Sequence, residues 1–122
     1  MVYRVVIPGT LPGLNEYIDI CRRNKYAAND LKRKVEDFIG RHIKSQIKAV
    51  FELERASVKF TWLVANCRRD PDNVAFAKKF ILDALTKSRV LKNDGWNNII
   101  GLTDDFGIDK ENPRILVEIT PL

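Results

Sequence analysis

The sequence predicts an α/β domain of the α+β kind: one small mixed sheet with two main helices, in the order β-α-β-α-β-β. Three observations carry this. Two long segments repeat their apolar residues at helical spacing, a segment between them alternates with period two, and β-branched runs open and close the chain. With 122 residues and no repeat, low-complexity stretch or composition shift, residues 1–122 are expected to form a single domain.

Val2 to Ile7 is β-branched and aromatic and stops at Pro8-Gly9, so it reads as a strand. Pro8 to Asn15 holds two prolines and two glycines and reads as a shaped loop. Asn29 or Asp30 is expected to cap a long helix. Its stripe runs Leu31, Val35, Phe38, Ile39, Ile43, Ile47, Val50 and Phe51, with Lys32, Arg33, Lys34, Arg41, Lys44 and Lys48 off it. Ser57 to Val64 alternates, with Val58, Phe60, Trp62 and Val64 on one face. A second helix follows from about Asn73 to Ser88, through Val74, Ala77, Ile81, Ala84 and Leu85. Leu91 to Asn97 is a polar loop. Strands near Asn98–Thr103 and Arg114–Thr120 flank a linker, Asp104 to Pro113. The directions of the strands stay open at this level.

Charge and cysteine content bound the function. The excess of 21 Lys and Arg over 16 Asp and Glu gives +5, which favours an anionic partner. Cys21 and Cys67 lack disulfide-framework and metal-ligand spacing and read as free thiols in a reducing compartment. No stretch has the ~18 apolar residues of a membrane span, so a soluble, cytoplasmic protein with no membrane partner is expected. His42, the sole histidine, falls mid-helix off the apolar stripe, which gives histidine-based nucleophilic catalysis little support. Trp62 reads as core, and Trp96 as packing against the sheet, with base stacking as its alternative.

The chemistry concentrates in Arg68-Arg69-Asp70-Pro71-Asp72-Asn73. Proline pushes Asp70 towards an extended backbone, where residues i and i+2 point to one side. Asp70 and Asp72 would then stand side by side, an arrangement that a shared hard cation such as Mg²⁺ or Mn²⁺ stabilises. The second helix starts at the same place and would favour anions there. An ordinary helix start with Asp72 as its cap explains the same residues, and the two readings are compatible. Asp83, eleven residues beyond Asp72, lies roughly 16 Å further along a helix and reads as a surface or helix-pairing residue. Asp94 is free to return to the start of the helix. Asp104 and Asp105 read as turn or capping residues. Arg68 and Arg69 adjoin the acids and could hold a phosphodiester, while Lys87 and Lys92 read as solvated helix charges.

These motifs, with Asp83-Ala84-Leu85, Leu91-Lys92-Asn93-Asp94, the opening Leu11-Pro12-Gly13-Leu14-Asn15 and the closing Pro113 to Ile119, resemble the RusA family of Holliday-junction resolvases. The resemblance spans most of the chain and is most specific between Arg68 and Asp94. It implies a homodimeric, Mg²⁺-dependent endonuclease that resolves four-way DNA junctions by paired nicks in recombination and repair, of the kind phages and prophages encode. Mn²⁺ is a possible substitute for Mg²⁺. Carried over residue by residue, it implies Asp70, Asp72 and Asp94 as catalytic metal ligands and Lys79 as the catalytic lysine. Arg68, Arg69, Asn73 and Lys78 would be the DNA-binding residues. Two departures stand out. The interval from Asp72 to Asp83 is three residues longer than the family spacing, which shifts the lysine to Lys79, with Lys78 as its alternative. Asn93 replaces an acid common in the family. A non-catalytic basic DNA-binding protein of the same fold is the alternative reading, and an interaction module without DNA affinity is a third.

Overall fold

In the computed structural model, which describes residues 1–48 and 52–122, four strands form one mixed sheet. The elements are β1 (Tyr3–Pro8), α1 (Leu14–Arg23), α2 (Lys25–Gln46), β2 (Ala56–Val64), α3 (Pro71–Ala75), α4 (Lys78–Lys87), β3 (Ile99–Ile108) and β4 (Arg114–Pro121). The α+β class and the order of strand and helical regions are those the sequence predicts, except that each helical region is two helices. The sheet order is β1-β4-β2-β3. β4 lies antiparallel to both β1 and β2, and β3 runs parallel to β2. The parallel pair demands a crossover, and α3 and α4 make it.

Alternation decides which face of the sheet is covered. Val5 and Ile7, Val58, Phe60 and Trp62, and Ile115, Val117 and Ile119 are all buried, and they meet Val35, Ile39 and Ile43 of α2 and Phe80, Ile81 and Leu85 of α4 in one core. Trp62 is core, as its strand position implies. The opposite face carries ion pairs such as Arg4–Glu118 at 3.5 Å and Lys59–Asp105 at 3.1 Å, the pattern of an antiparallel sheet with one side in water. No helix among the described residues is long and apolar enough to cross a membrane.

Several boundaries differ from expectation. Asn24, not Asn29 or Asp30, caps the long helix: its Oδ1 accepts from the N–H groups of Tyr26 and Ala27 at 2.8 and 3.4 Å. A cap needs extended backbone ahead of free N–H groups, and Asn24 has it at φ −163° and ψ 118°. Val50 and Phe51 of the expected stripe lie outside the described residues. The expected second helix is broken at Phe76–Ala77, where Lys79 N–H donates to the Phe76 carbonyl and Phe80 N–H to that of Ala77, both at 3.1 Å. These i→i+3 bonds tighten the chain into a short turn between two helices. The supposed linker from Asp104 is strand as far as Ile108, because β2 offers it a parallel ladder from Ser57–Gly101 to Val64–Ile108. Trp96, far from packing on the sheet, is 98% exposed.

α2 and α4 are joined by charge as well as by apolar contact. Glu36, buried on α2, accepts from Lys87 of α4, and its other oxygen lies 3.8 Å from Lys32. Lys32 also pairs with Asp83 at 3.6 Å, so Asp83 is the helix-pairing residue expected of it. The hydrogen bond to Glu36 holds the Lys87 ammonium above its ordinary value of 10.5. A raised folded-state value means that this stabilisation is complete below pH 10.5 and fades as the pH rises through the folded value. Lys87→Met should therefore melt below the parent at neutral pH, with the gap closing above pH 10.5. Thermal melts followed by circular dichroism from neutral to strongly alkaline pH check this.

Candidate functional site

The acids of the central motif sit where β2 leaves the sheet. Asp70 occupies the N-cap position of α3 with extended backbone, φ −66° and ψ 155°, but its side chain makes no capping bond. Pro71 takes the first helical position, where its fixed φ and missing N–H cost nothing. The proline therefore turns the chain into helix at once, and the extended spacing expected to align Asp70 with Asp72 ends after Asp70. The two carboxylates line different grooves. Asp70 stands with Val64, Asn66, Cys67, Phe106 and Ile108 around a space of about 300 Å³. Asp72 stands with Tyr17, Lys32, Phe76, Lys78 and Lys79 in a groove of about 570 Å³.

Asp72 is not the cap that one reading made it. It lies inside the first turn, and its Oδ1 accepts from the N–H of Asn73 at 2.9 Å. The helix it opens has five residues, too short to provide the sustained dipole first expected there.

Asn73 and Arg69, expected at DNA, are both engaged within the protein. Asn73 is buried and its Oδ1 accepts from the N–H of Asn15 at 2.9 Å. Arg69 Nη1 donates to the Leu11 carbonyl at 3.0 Å and reaches Glu16 Oε1 at 3.4 Å. Glu16 in turn accepts from the N–H of Gly13 at 3.3 Å. Together they clasp the start of α1 to the start of α3. The sequence signal for this lay in the Pro-Gly-Leu-Asn turn, read only as a shaped loop.

Arg68 is exposed, with its backbone N–H donating to Asn66 Oδ1 at 3.0 Å. Lys79 is exposed and pairs with Asp83 at 3.5 Å. Because the helix breaks at Phe76–Ala77, the regular two-turn relation expected between Asp72 and Lys79 does not exist, yet both line the larger groove. Lys78 forms an ion pair with Asp104 and sits 5.8 Å from the centre of the Phe60 ring, a cation–π distance. Asp104 also accepts from Trp62 Nε1 at 2.8 Å. It is thus a mid-strand partner of the core, not a turn residue, and sequence reading missed it because only the β2–β3 register brings it to Trp62 and Lys78. In the same groove, burial and then a hydrogen bond with Cys21 raise the Tyr17 phenol above its ordinary value of 10.0, which keeps it a neutral hydroxyl.

Asp94 does not return to the start of the helix. It lies in the loop before β3, where its N–H donates to Asn93 Oδ1 at 2.8 Å. Since β2 and β3 are parallel and Ala56 pairs with Ile99, that loop belongs to the end of the sheet where β2 begins. Asp70 belongs to the end where β2 finishes. The nine residues of β2, at about 3.3 Å each, put roughly 25 Å between the two ends. Among the described residues no three His, Cys, Asp or Glu side chains gather as a metal centre. Donor chemistry and geometry thus part company. Asp70, Asp72 and Asp94 form no ion pair among the described residues, and free carboxylates suit a hard cation. Within one chain, however, they do not converge on one.

No protein-family model matches this chain, and neither does any curated protein.

Proposed function

We propose that this protein is a Mg²⁺-dependent endonuclease acting on branched DNA, with the four-way junction as substrate and a homodimer as the working form. The groove beside α3 carries this reading. There Asp72, in no ion pair among the described residues, stands among Lys32, Lys78 and Lys79, with Arg68 and Asp70 exposed at the same end of the sheet. Lysines along such a groove suit a phosphodiester backbone, whose binding releases counterions and weakens steeply with salt. Carboxylates that form no ion pair among the described residues add what a simple DNA-binding surface does not need, namely ligands of the type Mg²⁺ prefers. The motif likeness between Arg68 and Asp94 points the same way. Paired nicks on opposing strands suit a two-fold assembly on a substrate of matching symmetry.

One observation favours a second reading. Asp94 stands far from Asp70 and Asp72 within a chain, as a basic DNA-binding protein that keeps the fold without cutting would allow. A gel comparing a synthetic four-way junction with linear duplex, each with Mg²⁺ or with EDTA, separates the two. Junction-selective binding in EDTA with paired nicks on adding Mg²⁺ is expected. Binding without nicks under both conditions would establish the second reading, and absence of salt-sensitive binding would overturn both.

A further inference from the structure

Three aromatic rings meet beside Asp72. Tyr17 of α1 lies 5.6 Å from Phe76, tilted by 36°, and 5.7 Å from Phe80, and Phe76 meets Phe80 edge-on at 5.7 Å. Phe80 is closed into the core at 1% exposure, whereas Tyr17 and Phe76 stay half-buried. Both line the groove of about 570 Å³, with Leu14 and Ala75 for further apolar wall. Ring contacts on two sides hold Phe76 in place, so little side-chain freedom remains to be lost when a ligand settles on it.

The acid and the ring are neighbours. Phe76 stands four residues after Asp72, and its N–H donates to the Asp72 carbonyl at 3.1 Å. Residues so related share one helix face, about 5–6 Å apart at Cβ. Lys32, Lys78 and Lys79 line the same groove. Lys78 is taken by Asp104, but the other two are held loosely. Lys32 and Lys79 share Asp83 at 3.6 and 3.5 Å, and Glu36, 3.8 Å from Lys32, already accepts from Lys87. Two carboxylates thus serve three ammonium groups, and the third offsets the charge of Asp72. At these distances Lys32 and Lys79 keep N–H groups for an incoming phosphate oxygen.

A ring beside such lysines suits a nucleobase stacked on the ring with its phosphate on the ammonium groups. Bases inside a duplex offer only their edges, so this contact requires a base that has left the stack. Leaving costs least where the base is already unpaired, as at an opened branch point.

We propose that this groove takes one unstacked nucleobase of the DNA, laid on Phe76, with the adjoining phosphate held by Lys32 and Lys79 next to Asp72. Tyr17 acts as a positioning residue that keeps the Phe76 ring in place. The base site rests on the function proposed above for DNA as its ligand, and it is independent of cutting.

The probe is a four-way junction carrying 2-aminopurine, placed in turn at each nucleotide flanking the branch point, and mixed with the full chain in EDTA so that no strand is cut. The analogue brightens when it leaves the base stack, so a fluorescence rise confined to one or a few positions is expected. Phe76→Leu should abolish the rise and weaken binding of a short oligothymidine strand by about fivefold or more, the lower end for losing a base–aromatic stack. Phe76→Tyr restores the ring and should restore both. The slope of affinity against salt should be the same in all three proteins, because the lysines still neutralise the same phosphates. A merely structural defect at the break between α3 and α4 would instead flatten that slope by displacing Lys78 and Lys79. Should Phe76→Leu fold poorly, the Phe76 ring resonances of the parent decide by nuclear magnetic resonance: oligothymidine should shift them, and an abasic strand of equal length should not. A bound junction with no rise at any position, a rise that survives in Phe76→Leu, or ring resonances that answer equally to the abasic strand would overturn the proposal. Nicking without these signals sinks only the base site. The signals without nicking sink only the catalytic reading, and absence of DNA binding sinks both.

Discussion

Asp72→Asn is expected to lower Mg²⁺-dependent nicking of a four-way junction on the order of 100-fold, the upper range for disturbing a metal's surroundings. Junction affinity in EDTA should be unchanged or slightly higher, since in the proposed function a negative charge leaves the groove that would hold phosphate. The substitution isolates charge from shape. The amide oxygen of Asn can still accept from the N–H of residue 73, the bond that Asp72 Oδ1 makes now at 2.9 Å, so the first turn of α3 should hold. Nicking rates on labelled junctions, with thermal melts of parent and variant, check both halves. Asp83→Asn is the contrasting variant. Asp83 pairs with Lys32 and Lys79 between helices, so its loss should lower the melting temperature while leaving Asp72 and the nicking step in place. Full activity in Asp72→Asn would remove Asp72 from the reaction.

Gly13→Ala is expected to destabilise the fold by about 2–3 kcal/mol, the range for breaking a buried hydrogen-bonded network. For a chain of 122 residues that lowers the melting temperature by roughly 10 °C. A Cβ at Gly13 would stand 2.6 Å from Asn73 Oδ1, 3.0 Å from Arg69 Nη1 and 3.0 Å from the Asn73 carbonyl. One of these atoms is backbone, and the others belong to side chains committed to Asn15 and Leu11, so relief means opening the clasp between α1 and α3. Gly107→Ala makes the comparison sharp. Its Cβ would meet Leu63 Cδ2 at 2.9 Å, but that is the end of a half-exposed side chain able to swing away. A loss below about 0.5 kcal/mol is expected there. Equal losses in the two variants would show that the clasp contributes nothing special, and urea titrations of both decide it.

The clasp also shows why part of the site escaped sequence reading. α1 has no fully buried residue, and the half-buried Leu14, Tyr17 and Ile18, though at helical spacing, were left unassigned beside the Pro- and Gly-rich loop before them. What holds its start is Asn73 and Arg69, more than fifty residues away. The same two residues looked like DNA contacts because a polar, cationic motif beside two acids carries no local sign of burial. Asp104 was obscured in the same way, since its partners Trp62 and Lys78 are 42 and 26 residues distant.

From the sequence alone came the α+β class, the core stripe of α2 through Ile43, and the alternation of β2 with Trp62 inward. Those follow from periodicity, which a chain displays wherever neighbouring residues share one environment. Only the tertiary structure decided that β3 lies parallel to β2, that Asp70 and Asp72 open onto separate grooves, and that Asp94 sits at the far end of the sheet. Each of these depends on how strands are ordered and directed, and strand partners are chosen by contacts between residues remote in the chain, to which local pattern is blind.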